Sequence, residues 1–370
     1  MWRHIVFLLM GPCSLITGQL YDYHFINENK TWTEAQSFCR ENYTDLATVY
    51  RRSDIKNLNQ TGAWIGLNYC LSINGTWSWT QPGVEFNDNE TEWSEGEPND
   101  QNQPENCAAI DNKLNVLDLD CSQTKLFVCY KEHENKTYVV EENKTWLEAL
   151  KHCRDNMGDL ATQEQARWNG SELQTGDHRW IGLFRDRWMW SDGSSFSFRH
   201  WEVDETGTER KCAFSKSLGK WDPDGCEKEK ICAFSNSSGE WDSDGCEKAR
   251  PFFCYSDNFI LVNENKTWTE ALHHCRQHHS DLISITDVHQ QKWIQHKAKN
   301  ASSAFVWLGM HYTCTLQFWF WVTDEAVRYD NWRSDNVTDN CDMSAAMESQ
   351  GAHKWVRKNY EEKFNFFCFK

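Results

Sequence analysis

The chain has 370 residues, which is room for two or three domains, and a formal net charge of −17 that excludes roles needing clustered Lys and Arg against phosphates. Its 16 cysteines, spread along the chain, fit disulfides formed in an oxidising space. The negative charge itself reads as a solvated acidic surface.

At the start, Arg3 and His4 precede an apolar run from Ile5 to Leu15, and the small Gly18 offers a cleavage position before Gln19. That run is too short to span a bilayer, and no other stretch approaches 18 apolar residues. The expectation is a signal peptide at 1–18 and a soluble, secreted, extracellular mature chain with no membrane span. Cys13 leaves with the signal. Twelve Asn-x-Ser/Thr sequons agree with secretion: Asn29, Asn42, Asn59, Asn74, Asn89, Asn135, Asn143, Asn169, Asn236, Asn265, Asn300 and Asn336.

An internal repeat then sets the organisation. Strand-like runs at Tyr23 to Ile26, Tyr138 to Val140 and Phe259 to Val262 each precede a helix start. The starts are Lys30-Thr31-Trp32-Thr33-Glu34-Ala35, Lys144-Thr145-Trp146-Leu147-Glu148-Ala149 and Lys266-Thr267-Trp268-Thr269-Glu270-Ala271, leading to Cys39, Cys153 and Cys275. Their Thr-x-x-Glu spacing is that of a capping box, in which threonine and glutamate satisfy free helix N–H groups. Next come Asp45-Leu46, Asp159-Leu160 and Asp281-Leu282, then Trp-x-Gly strands at Trp64, Trp180 and Trp307. Those tryptophans, the Trp77/Trp79 alternation and Trp319/Trp321 are read as core. Aromatic strands close the copies at Cys129, Cys254 and Cys368.

Inside the first copy, Glu97-Pro98-Asn99 and Glu105 lie ahead of Cys107, a set of side-chain oxygens suited to a hard cation. X-Pro is the one peptide bond whose cis form is cheap, so a rigid turn there can aim both oxygens at one ion. Inside the second copy, residues 211–230 and 231–250 form a tandem duplication that matches at 13 of 20 positions, each half with its own Cys-x13-Cys.

These motifs together resemble the C-type lectin-like domain, whose Glu-Pro-Asn version marks the mannose-type members. The resemblance covers nearly the whole mature chain and implies an α+β fold, three tandem domains, each with two helices flanking small antiparallel sheets and a long loop region. The domains are expected at 19–131 (Glu-Pro-Asn type), 136–255 (with the duplication at 211–250) and 257–370. The chain is similar to fragments of the mannose-receptor group, which string such domains together.

The resemblance implies Cys39–Cys129, Cys153–Cys254 and Cys275–Cys368 between first helix and last strand, and Cys107–Cys121 as the second bridge of the first domain. The duplicated segments read as Cys212–Cys226 and Cys232–Cys246, with crossed pairing left open because sequence does not determine connectivity. The third domain lacks a partner at the place of Cys121, where Tyr360 sits. Cys314 takes the position of Cys70, which suggests Cys314–Cys341. Cys70 is then the odd cysteine: a buried thiol, or a bridge between two chains that makes a dimer.

The family's calcium site maps residue by residue onto Glu97, Asn99, Glu105 and Asp118, and these four would bind both Ca²⁺ and sugar. Leu117 stands where the family has an asparagine ligand and Val116 replaces its tryptophan; Asn115 is the nearest substitute oxygen. The second domain has Glu205-Thr206-Gly207 and Arg210 instead, and Asp222, Asp224, Asp242 and Asp244 form a weaker acidic set. The third has Ser334-Asp335-Asn336 and Trp355-Val356-Arg357, with Asp339 retained. Both are expected to be calcium-free at this locus. His273, His274, His278 and His279 lack the further ligand that zinc needs and read as an exposed helix face. No nucleophile motif, phosphate loop or His-Glu-x-x-His occurs, and carboxylate pairs are too abundant to mark a glycosidase, so no enzyme activity is expected. The function expected is Ca²⁺-dependent recognition of mannose-type glycans or glycoproteins by the first domain. The alternatives are calcium-independent protein binding and a soluble form of an endocytic receptor.

Overall fold

The computed structural model describes residues 20–58, 60, 62–69, 75–99, 105–167, 178–201, 231–235, 240–315, 317–323, 327–334, 341 and 343–370. It contains helices α1 (Trp32–Asn42), α2 (Trp146–Asn156), α3 (Gln163–Arg167), α4 (Trp268–His278) and α5 (Val288–Ala298). The chain divides into two compact units, one of Tyr23–Ser256 and one of Asp257–Lys370 with the stretch ending at Asp22. Cys70, Cys212 and Cys226 lie outside the described residues, as do Glu205, Arg210, Asp222, Asp224, Asp335, Asn336 and Asp339.

The repeated motifs build one local device three times. Thr31, Thr145 and Thr267 cap α1, α2 and α4, and the glutamate three residues on bonds back to each cap's N–H at 2.9 Å. That bond holds Glu34, Glu148 and Glu270 below the usual carboxylate range. The helix tryptophans Trp32, Trp146 and Trp268 donate from Nε1 to the carbonyls of Ile65, Ile181 and Leu308. The strand tryptophans Trp64, Trp180 and Trp307 return bonds to Lys30, Lys144 and Lys266 and are fully buried, as core residues. Asp45, Asp159 and Asp281 pair with Arg40, Arg154 and Arg276 of the preceding helix. The glycine of Trp-x-Gly is demanded by close approach: a Cβ on Gly309 would lie 2.8 Å from the Leu282 carbonyl oxygen and 3.0 Å from Val322 Cγ2. Gly309→Ala is therefore expected to cost about 2 kcal/mol by overpacking, read as roughly thirtyfold faster hydrogen exchange in the Phe305–Thr313 strand. Unchanged exchange would mean the carbonyl gives way.

In the first unit the strands are β1 (Tyr21–Lys30), β2 (Asp45–Leu46), β3 (Ala63–Tyr69), β4 (Thr76–Trp79), β5 (Cys107–Ile110), β6 (Val116–Leu119) and β7 (Lys125–Lys131). They continue as β8 (Lys136–Lys144), β9 (Asp159–Leu160), β10 (Arg179–Asp186), β11 (Trp188–Trp190), β12 (Ile231–Ser235), β13 (Trp241–Gly245) and β14 (Arg250–Asp257). One sheet runs β1-β14-β3-β12-β13, with β11 on β3 and β2 on β14. The other runs β6-β5-β10-β7-β8, with β4 on β10 and β9 on β7.

The first two repeats have therefore exchanged halves. The opening half of repeat one (β1, α1, β2, β3) folds with the closing half of repeat two (β11 to β14). The opening half of repeat two (β8, α2, β9, β10) folds with the closing half of repeat one (β4 to β7). The cores agree: Trp32, Cys39 and Trp64 pack with Cys232, Phe234 and Cys254, whereas Cys107, Phe127 and Cys129 pack with Trp146, Cys153 and Trp180.

The disulfides follow the exchange and correct the expectation. Cys39 bonds Cys254 and Cys129 bonds Cys153, not Cys39–Cys129 and Cys153–Cys254. Cys107–Cys121, Cys232–Cys246, Cys275–Cys368 and Cys314–Cys341 form as expected.

The cause is legible in chain length. Between the paired tryptophans of the hairpin, Trp64 to Trp79 spans 15 positions and Trp307 to Trp321 spans 14, but Trp180 to Trp190 spans 10. A single residue, Arg187, separates β10 from β11. A hairpin return takes two or more loop residues; with Trp190 opposite Leu183, where Trp79 sits, β11 would have only Asp186-Arg187 for that turn, and β11 does not make it. It continues onto β3 (Trp188 opposite Tyr69, Trp190 opposite Leu67), and β4 takes the vacated edge of β10 (Leu183 opposite Trp79). A shortened hinge is the usual origin of such exchange. Ion pairs Arg52–Asp155 (2.6 Å) and Lys151–Glu240 (2.8 Å) join the two interleaved folds.

The second unit is a contiguous copy: β15 (Phe259–Lys266), β16 (Phe305–Thr313), β17 (Phe318–Trp321), β18 (Met343–Glu348), β19 (Trp355–Asn359) and β20 (Phe364–Phe369), in the order β15-β20-β16-β18-β19 with β17 on β16. Here the second helix, α5, is full length, capped by Asp287 and burying Trp293, Ile294 and Ala298. The corresponding positions of repeat one form a 3-10 turn at Arg52–Asn57, and those of repeat two the five-residue α3. Among the described residues no helix is long and apolar enough to cross a membrane.

Candidate functional site

The long loop of repeat one returns to the sheet along β6. Trp93 bridges Val116, Ser94 N–H donates to the Val116 carbonyl at 2.7 Å, and Val116 N–H donates to Glu92 at 2.8 Å. Gly96, at φ +86°, supplies the left-handed turn that brings the next three residues over β6. The Glu97–Pro98 bond is cis. Asn99 N–H donates to Asp118 Oδ1 at 3.0 Å, and Asn99 Nδ2 donates to Glu97 Oε2 at 2.6 Å. Asp118 lies opposite Ala108 in the β5–β6 pair and is 1% exposed.

Glu97, Asn99 and Asp118, which lie up to 21 positions apart, are thus in direct contact. The Glu97 carboxyl is pushed up to about 7, first by burial and then by Asp118 and Glu105 beside it. Two carboxylates packed together and desolvated favour a cation. Glu105 reaches the cluster through its charge on Glu97. Among the described residues no three His, Cys, Asp or Glu side chains converge closely enough to hold a metal ion by themselves. The donor set is all oxygen and includes an amide, which fits a hard divalent cation whose remaining positions are filled by water or ligand hydroxyls.

Leu117 offers no oxygen. Alternation along β6 turns it to the opposite face from Asp118, where it is 7% exposed and packs with Cys107, Cys121 and Trp146. Asn115 lies in the hairpin turn, its N–H bonded to Asp111, about 10 Å along the strand from Asp118.

Sequence reasoning missed Arg185. It belongs to repeat two, on β10, and the exchange of halves brings it under the repeat-one loop. Its N–H donates to the Asn106 carbonyl at 2.8 Å, Nε to Asn106 Oδ1 at 3.0 Å and Nη2 to the Glu105 carbonyl at 3.4 Å, while the guanidinium lies 5.1 Å over Trp77. In a contiguous fold Tyr69 would hold this place; here Tyr69 packs against Trp188. The short spacing from Trp180 to Trp190 was the available signal.

The same sheet position has a different residue in each repeat. Ala108 faces Asp118, Ala233 faces Ser243 and Ala345 faces Arg357. In repeat two Asp244 is engaged by Lys248 and Arg250, at 2.7 and 2.6 Å, and Asp242 Oδ1 accepts the Ser243 N–H. In repeat three a cation replaces the carboxylate. His274 and His278 have ring centroids 4.7 Å apart, and burial followed by the charge of His278 lowers the His274 pKa.

Mixed helix-and-sheet repeats with Trp-x-Gly strands, terminal bridges and an oxygen cluster on the long loop define a C-type lectin architecture. The Lectin C-type domain family matches at residues 28–131, 142–233 and 264–370, and the chain belongs to that family. E-selectin of Bos taurus is 33% identical over 133 residues, which is 32% of this chain and 26% of that protein. C-type mannose receptor 2 of Homo sapiens is 24% identical over 379 residues, 86% of this chain and 25% of the receptor. The chain thus spans about a quarter of the length of these relatives. Among solved structures, human lithostathine aligns at 23% identity and a TM-score of 0.28, over 30% of this chain and 80% of its own.

Proposed function

We propose that this C-type lectin-domain chain is a secreted protein that recognises mannose-type glycans in a Ca²⁺-dependent way, through Glu97, Asn99, Glu105 and Asp118. The observation that carries the reading is Asn99 linking Glu97 to the buried Asp118. These four residues would hold the calcium, and the ion would offer its open coordination positions to two neighbouring sugar hydroxyls. The carboxylates of Glu97, Glu105 and Asp118 would accept hydrogen bonds from those hydroxyls, and the Asn99 amide, which here donates to Glu97, would donate to their oxygens. Alternating donors and acceptors in this order suit equatorial 3- and 4-hydroxyls. Arg185 positions the Glu105–Asn106 stretch from the other repeat.

With one such site per chain, useful avidity needs clustered sugar. The test is retention of the full chain on a densely mannosylated resin in millimolar Ca²⁺, with release by EDTA as the expected result. Flow-through in both buffers from folded protein, or retention that survives EDTA, overturns the reading. A fragment of 19–131 is unsuitable, because it joins half of one fold to half of another. Calcium-independent binding is favoured at one place, repeat three, where Arg357 stands at the carboxylate position.

A further inference from the structure

The long loop of repeat one is held from behind by helix α3 of repeat two. Gln163, at the start of α3, is 4% exposed and turns both ends of its side-chain amide to repeat-one backbone. Its Oε1 accepts the Glu92 N–H at 3.1 Å, and its Nε2 donates to the Glu92 carbonyl at 3.1 Å and the Leu114 carbonyl at 2.9 Å. Glu92 lies five positions before Glu97 and Leu114 four before Asp118, so one amide joins the two limbs that carry the oxygen cluster. The Arg167 guanidinium adds a fork to the Glu92 carboxylate, at 3.1 and 2.5 Å. Helix α3 is itself fixed. Gln165 Oε1 accepts the Thr162 N–H at 2.9 Å, and Gln165 exchanges amide bonds of 2.7 and 3.0 Å with Gln81 of repeat one.

Repeat three makes the same connection within itself. Gln291 of α5 donates to the His353 carbonyl at 3.2 Å and accepts from Trp355 Nε1 at 2.8 Å. His353 and Leu114 hold matching places, with left-handed backbones at φ 51° and 68°. Each lies two positions before the residue, Trp355 or Val116, that the loop tryptophan bridges.

We infer that Gln163 is a positioning residue for the calcium-and-sugar site of repeat one, an inference that rests on the function proposed above. From the neighbouring repeat it sets the Glu97–Asn99 limb against Asp118. Three directional bonds to backbone fix register as well as separation, whereas apolar packing, being non-directional, fixes only closeness. Asn99 bonds both Glu97 and Asp118, so a slip of the loop along β6 parts the ligands while the core beneath stays packed.

The experiment compares the full chain with two variants. Gln163→Met keeps the side-chain length and removes all three bonds. Thr145→Ala weakens the same fold at the cap of α2, away from the loop. Calorimetric titration with Ca²⁺ should show affinity about tenfold lower in Gln163→Met and unchanged in Thr145→Ala, although both unfold at lower temperature. In EDTA the Asn99 amide should exchange about tenfold faster in Gln163→Met alone. Should Gln163→Met fail to fold by near-ultraviolet circular dichroism, the wild-type chain decides: the Gln163 side-chain amide resonances must shift on saturation with Ca²⁺ and those of Gln291 must not. Equal calcium affinity in folded Gln163→Met, an equal loss in Thr145→Ala, unchanged Asn99 exchange, or Gln163 resonances that stay in place overturns the proposal. A wild-type chain that takes up no Ca²⁺ overturns the function instead, and Asn99 exchange then decides the positioning on its own.

Discussion

Lengthening the connection at Arg187 by five residues will return the first two repeats to separate folds and rewrite their disulfide map. The expected change is from Cys39–Cys254 and Cys129–Cys153 to Cys39–Cys129 and Cys153–Cys254, read by mapping unreduced peptides. A protease site placed between Lys131 and Lys136 gives a second readout. Cutting the natural chain leaves one species on a non-reducing gel, because both exchanged bridges cross the cut. Cutting the lengthened chain releases two. The hinge is what distinguishes the two topologies, because the other terms balance. Each fold buries the same kinds of side chain whichever repeat supplies them. In chain-entropy terms, loops of 24 and 215 residues contribute about 3.5 and 5.5 kcal/mol, against about 4.5 kcal/mol for each loop of the contiguous pairing. The totals agree within about 1 kcal/mol, so bridging energy chooses neither topology. The short connection between β10 and β11 is the term that differs, because it leaves the hairpin only its tightest turn, and short hinges invite exchange. An unchanged map in the lengthened chain would mean that the exchange has another cause.

Removing the charge at Asp118 is expected to cost at least about a hundredfold in calcium affinity and to abolish EDTA-sensitive retention, since charge count tunes such sites over decades. Asp118→Asn is the informative change. It keeps an acceptor for the Asn99 N–H, which in Asp118→Ala would be left unpaired at about 1–3 kcal/mol, so loss of metal can be separated from loss of fold. Arg185→Gln tests whether the site is composite. Partners behind the ligands typically matter ten- to a hundredfold, so calcium affinity should fall by about tenfold with the fold intact, measured by calorimetric titration. A site built from repeat one alone would not register the change.

Much of the local structure was legible in the chain because its causes are local. Thr-x-x-Glu caps a helix through bonds three residues apart, and Trp-x-Gly marks the close passage of Gly66, Gly182 and Gly309 over a carbonyl. The Cys-x13-Cys bridges closed as read for Cys107–Cys121 and Cys232–Cys246, since a short loop has few alternatives. The grouping of Glu97, Asn99 and Asp118 was implied by the family resemblance, and the opposite orientation of Leu117 follows from strand alternation.

Pairing between repeats was another matter. The three copies present nearly interchangeable strands and helix faces, so hydrophobic pattern cannot say whether Cys39 meets Cys129 or Cys254. That choice lies in a deletion of four or five residues at one turn, which leaves the chain only its tightest reversal there. By itself the amino-acid sequence determined three lectin-type repeats, their caps and cores, and an oxygen cluster on the first. The tertiary structure decided which halves share a core, and thereby set Arg185 of one repeat beneath the loop of another. The physical reason is that equal local energies leave topology to chain connectivity.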